Sequence, residues 1–66
     1  MRNKGKYYKF IKGIKEIIDL GDKIWIYSNR VEDDKKLIER KFKDIFNQKV
    51  DLEIKDKFII AKKFGS

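Results

Sequence analysis

From Tyr7 onward, apolar residues fall at Tyr7, Tyr8, Phe10, Ile11, Ile14, Ile17, Ile18 and Leu20. Steps of three and four dominate, the period of a helix with one apolar face. Gly21 follows as a residue able to end that helix in a left-handed conformation, and Asp22 starts the exit. Residues 23–28 (Lys-Ile-Trp-Ile-Tyr-Ser) are β-branched and aromatic and read as a strand, with Ile24 and Ile26 on one face and Trp25 and Tyr27 on the other. Ser28 or Asn29 can cap a second helix, and Asn29 with Glu32 has the spacing of a capping box. Glu32, Asp33 and Asp34 fill its first turn, where the helix dipole favours anions. Leu37, Ile38, Phe42, Ile45 and Phe46 then form one stripe, and Asn47 is a left-handed stop. Val50 to Ile54 alternates strictly, Lys55-Asp56-Lys57 reads as a tight turn, and Phe58 to Lys63 as a returning strand. A three-residue loop sets Ile54 opposite Phe58 and Leu52 opposite Ile60, all toward the core.

The order α-β-α-β-β predicts an α+β fold, a two-layer arrangement with both helices on one face of a small three-stranded mixed sheet. The β-α-β step favours a right-handed crossover between parallel strands, and the last hairpin adds an antiparallel one. Whether the third strand lies at the edge or between the other two stays open. The expected core is Ile11, Ile14, Ile17, Ile18, Ile24, Ile26, Leu37, Ile38, Phe42, Ile45, Phe46, Leu52, Ile54, Phe58 and Ile60. Trp25 and Tyr27 then fall on the uncovered face beside Ile59 and Ala61, with Asp51 and Glu53. Residues 1–6 read as a basic flexible tail, 7–64 as one small domain and 65–66 as a tail.

At 66 residues the chain is near the lower limit for folding on a hydrophobic core alone. It has no Cys or His, so disulfides are excluded and zinc lacks its usual ligands. The apolar runs are too short to span a membrane, and no secretory signal is legible; an intracellular, cytoplasmic protein is expected. Fifteen Lys against three Arg, eleven Ile, one Ala and no Pro or Thr suggest an AT-rich, thermophilic or viral source.

Charge changes the picture most. Six of the eighteen basic residues and none of the eleven acidic ones lie in the first fifteen positions: Arg2, Lys4, Lys6, Lys9, Lys12 and Lys15. The first helix thus carries cations at its beginning and acids, Glu16 and Asp19, at its end, the reverse of what its dipole prefers. A local rule broken without a structural gain marks a candidate functional surface. An anion that satisfies both the lysines and the helix N–H groups is a phosphate or a partner's carboxylate.

Catalysis is not expected. No His, Cys or glycine-rich phosphate loop is present, and Ser28 is the one hydroxyl besides tyrosine and the terminal serine. No cofactor or metal is expected either: Glu32, Asp33 and Asp34 are consecutive on a helix, about 100° apart, and first-turn stabilisation explains them. In its pattern of strand, helix and Val-Asp-Leu-Glu-Ile, the stretch from Ile24 to Ile54 resembles the C-terminal domain of the delta subunit of F-type ATP synthases. Where that family carries a glycine-containing hairpin, this chain has Lys55-Asp56-Lys57-Phe58-Ile59-Ile60, and no activity or partner is carried over.

Two binding functions compete. In the first, Lys4, Lys6, Lys9, Lys12 and Lys15, helped by Arg2, hold nucleic-acid phosphates with little sequence preference, since Lys is a point charge and Arg is scarce. In the alternative, a small interaction or inhibitor protein, of the kind a phage or mobile element encodes, docks on an acidic protein surface. Its basic helix steers association, and Tyr7, Tyr8, Trp25 and Tyr27 serve as anchors. Trp25 and Tyr27 also suit a homodimer interface, and Gly13 suits the close approach of another backbone.

Overall fold

The computed structural model describes residues 7–65, so Arg2, Lys4, Lys6, the proposed tail 1–6 and Ser66 lie outside the described residues. The elements are α1 (Tyr8–Asp19), β1 (Ile24–Tyr27), α2 (Val31–Phe46), β2 (Val50–Lys55) and β3 (Phe58–Lys63), in the order the periodicity predicts.

Both helices end where the sequence marks it. Gly21 has φ 87°. Its N–H donates to the Ile18 carbonyl at 3.0 Å and that of Asp22 to the Ile17 carbonyl at 3.3 Å, the paired bonds of a Schellman stop. Asn47 ends α2 at φ 54°, and its N–H donates to the Lys43 carbonyl at 2.8 Å.

The start of α2 differs from expectation. Arg30 is the N-cap, without a side-chain cap, and neither Ser28 nor Asn29 fills that role. Ser28 is buried instead. Its Oγ accepts the Arg30 N–H at 2.9 Å and donates to the Asp34 carboxylate, tying the β1–α2 loop to the first turn of the helix. Asn29 Oδ1 accepts the Tyr27 hydroxyl at 3.1 Å. Ser28→Ala deprives a backbone donor and a half-buried carboxylate of their partner at once. Urea denaturation is expected to show a loss of about 1–3 kcal/mol.

The sheet has the order β1-β3-β2, and both pairings are antiparallel. The expected mixed sheet is therefore replaced by a purely antiparallel one. β1 and β2 do run parallel, as the helical crossover requires, but β3 is inserted between them. Each then gains an antiparallel neighbour, the slightly more stable pairing.

The hairpin register also differs. Lys55 pairs with Phe58, Ile54 with Ile59 and Leu52 with Ala61, so the loop is only Asp56-Lys57. Asp56 takes φ 55°, as the first central residue of a two-residue hairpin turn must be at positive φ. One residue of register exchanges the faces of β3. Ile59 and Ala61 enter the core, and Phe58 and Ile60 turn to the uncovered side.

The buried core consists of Ile11, Ile14 and Ile18 from α1, Ile38 and Phe42 from α2, and Val50, Ile59 and Ala61 from the sheet. Tyr7, Ile24, Ile26, Val31, Ile45, Phe46 and Leu52 pack around it, partly buried. Ile17, Leu37 and Ile54, expected in the core, are only partly buried.

Candidate functional site

Two surfaces carry the candidate residues, and the sheet separates them. The first is the outer side of α1. Lys9 and Lys12 are exposed, and neither makes an ion pair with another described residue. Lys15 is partly engaged: its Nζ lies 2.6 Å from Asp19 Oδ2 and 5.5 Å from the centre of the Phe46 ring. The start of the helix, at Tyr7, has no side-chain cap and no acid in the first turn, and the last turn has no base. The charge inversion read from the sequence thus stands in the folded helix, where each misplaced charge costs about 0.3–1 kcal/mol.

Tyr7 and Tyr8 do not join a common aromatic surface with Trp25 and Tyr27. Tyr7 packs on the core with Lys41 Nζ 5.8 Å above its ring, and Tyr8 lies 6.5 Å from Phe46 of α2. Both serve the contact between the helices.

The second surface is the uncovered sheet face. Cross-strand pairing fixes its rows: Tyr27, Phe58 and Lys55 in one, Trp25, Ile60 and Glu53 in the next, then Lys62 and Asp51. Trp25 is 49% and Tyr27 58% exposed. Phe58 lies between them, its ring centroid 5.8 Å from that of Trp25 and 5.7 Å from that of Tyr27, both edge-to-face. That geometry suits the ring quadrupoles and holds the three rings as a unit. Lys55 Nζ stands 5.9 Å from the Trp25 ring centre, and Ile60, paired across strands with Trp25, is buried.

Sequence reasoning missed Phe58, Ile60 and Lys55 as members of this face. Their placement follows from the two-residue turn, which no glycine marks in the sequence. Asp51 and Glu53 lie on the face as expected and leave its β2 side acidic.

A shallow apolar groove opens beside the start of α1, lined by Tyr7, Phe10, Ile26, Leu37 and Ile38, with Asp34 and Tyr27 at its margin. Among the described residues no group of three or more acids converges as metal ligands do, and Asp34 is held by Ser28. No helix among them is long and apolar enough to cross a membrane. Compared with known proteins, the chain matches no family model, and neither a curated protein nor a solved structure is significantly similar to it.

Proposed function

We propose that this chain is a non-enzymatic binding module that holds the phosphate backbone of a nucleic acid, with little sequence preference, on its basic N-terminal segment and the outer side of α1. The observation that carries this reading is the inverted charge of α1, with Lys9 and Lys12 exposed beside a helix start that lacks both cap and acid. An anion at that end meets the lysines and the positive end of the helix dipole together. Lysine-rich contact to phosphate releases counterions, so affinity falls steeply as salt rises.

The test is binding to a labelled duplex and a labelled single strand across a salt series, with wild type and a Lys4/Lys6/Lys9/Lys12→Ala variant. Neutralising five phosphates gives a log–log slope of about −4 to −5 on duplex DNA, and the variant is expected to lose about 3 to 4 of that slope. Binding that ignores salt, or that survives in the variant, rules the reading out.

A second reading rests on the exposed Trp25–Phe58–Tyr27 cluster. Trp and Tyr anchor protein interfaces, and this cluster is firmly packed and half exposed. It lies on the opposite side of the sheet from α1. A single flat acidic surface therefore cannot engage the aromatic rings and the basic helix together, and a partner reaching both must wrap the β1 edge.

A further inference from the structure

α1 turns three sides to three surroundings. Ile11, Ile14 and Ile18 point into the core, and Tyr8 and Lys15 meet Phe46 of α2. Along the remaining flank, at steps of three, four and three, run Phe10, Gly13, Ile17 and Leu20. Helical periodicity puts these four on one stripe. Phe10 is 43% exposed and Leu20 79%, the most exposed of the large apolar side chains described.

Gly13 weakens a helix relative to alanine, yet a Cβ built there meets nothing within 4 Å. Nothing within the described chain requires a glycine at that position.

We propose that this stripe is the interface of a homodimer in which α1 packs antiparallel against α1 of a second copy. The spacing is self-complementary. Positions 10 and 20, like 13 and 17, lie symmetrically about residue 15, so a two-fold axis there sets Phe10 against the second copy's Leu20 and Ile17 against its Gly13. A large side chain meets a glycine where the backbones come closest, as ridge-into-groove packing requires.

Charge selects the same orientation. Lys9 flanks the stripe in the first half of α1, and Glu16 in the second, with Asp22 at the exit; Lys12 and Asp19 lie farther round the helix, and Asp19 is held by Lys15. Antiparallel packing lays each basic half along the other copy's acidic half and opposes the two helix dipoles, whereas parallel packing sets like against like. The inverted charge that destabilises an isolated α1 becomes favourable in the pair.

The sheet edge next to the stripe is also suited to it. Phe10 shares a groove with Ile26 and Tyr27 of β1, which is an edge strand. β1 reads Ile-Trp-Ile-Tyr, without a charge or a proline. The other edge, β2, carries Asp51, Glu53 and Lys55, as edges guarded against pairing do. The axis that makes the helices antiparallel also brings the two β1 edges together antiparallel, extending one apolar seam from helix to sheet. Both this inference and the nucleic-acid reading draw on the charge of α1, but the dimer also rests on the apolar stripe and Gly13, and its test involves no nucleic acid.

Sedimentation equilibrium of the full chain tests it, together with Leu20→Glu and Gly13→Ala. Both variants are expected to keep the native circular dichroism, and both to raise the dimer dissociation constant at least about tenfold. Orientation is read by cross-linking, because the chain has no cysteine of its own. Phe10→Cys and Leu20→Cys chains, mixed and treated with a short thiol cross-linker, are expected to join chiefly to each other. Each variant treated alone is expected to stay single. A wild-type chain that stays monomeric up to about 1 mM overturns the proposal. So do folded variants that dimerise as tightly as wild type, or cross-linking of Phe10→Cys chains chiefly to one another.

Discussion

Phe42→Ala is expected to leave the protein largely unfolded at room temperature. Phe42 is the largest of the fully buried side chains and lies among residues of both helices and the sheet, its ring 5.5 Å from that of Phe46. Truncating a buried phenylalanine costs about 3–5 kcal/mol, the sum of lost transfer energy and the cavity left behind. A core of this size supplies only about 3–5 kcal/mol of net stability, and no disulfide adds to it. The loss is therefore comparable with the whole. Denaturation followed by the fluorescence of Trp25 checks it, and a cooperative transition with a near wild-type midpoint contradicts the packing described.

A contrast between neighbours has an effect of similar size. Ile59→Lys is expected to abolish folding, whereas Ile60→Lys is expected to stay folded with a loss of about 1–3 kcal/mol. Ile59 is fully buried under the helices, where an ammonium group has no route to water and no partner, and such burial costs several kcal/mol. Ile60 is nearly as buried, but it sits on the face the helices leave uncovered, in one cross-strand row with Trp25 and Glu53 and two residues from Phe58. A lysine stem can lie under those rings with its charge at the surface. Circular dichroism and urea denaturation of the two variants decide the register. With the three-residue loop expected from sequence, their behaviour is exchanged.

That register shows where the sequence stops being informative. The helices were legible because their apolar stripes allow one placement each, and because Gly21 and Asn47 are the residues that tolerate the left-handed stop. The hairpin was legible as a hairpin and no further. Phe58, Ile59, Ile60 and Ala61 are all apolar, so alternation cannot say which pair faces the helices. Asp56 takes the positive φ that a glycine would have advertised. Strand order was hidden for a related reason. β1 is apolar on both faces and pairs as readily with β3 as with β2, so the choice rests on three-dimensional packing.

The candidate surfaces divide in the same way. The charge inversion of α1 is a property of residue order and could be read directly. The third ring of the aromatic face, Phe58, depends on one residue of register and could not. Phe10 and Leu20 were visible only as apolar members of a helix. Their exposure depends on which elements pack beside α1, which no local pattern encodes.

The position of β3 has a consequence for truncation. It is the last strand in chain order and the central one in space, and every strand pairing in the sheet includes it. A chain cut after Lys57 therefore holds two helices and two strands with no ladder between them, and no floor on which the helices can pack. With residues 58–63 present, the β2–β3 hairpin closes locally, and β1 must then be gathered from about thirty residues upstream, the slower, non-local step. No part of the sheet is thus separable from β3: without it both edges of the undefended β1 lie open to other chains, and with it one edge is closed.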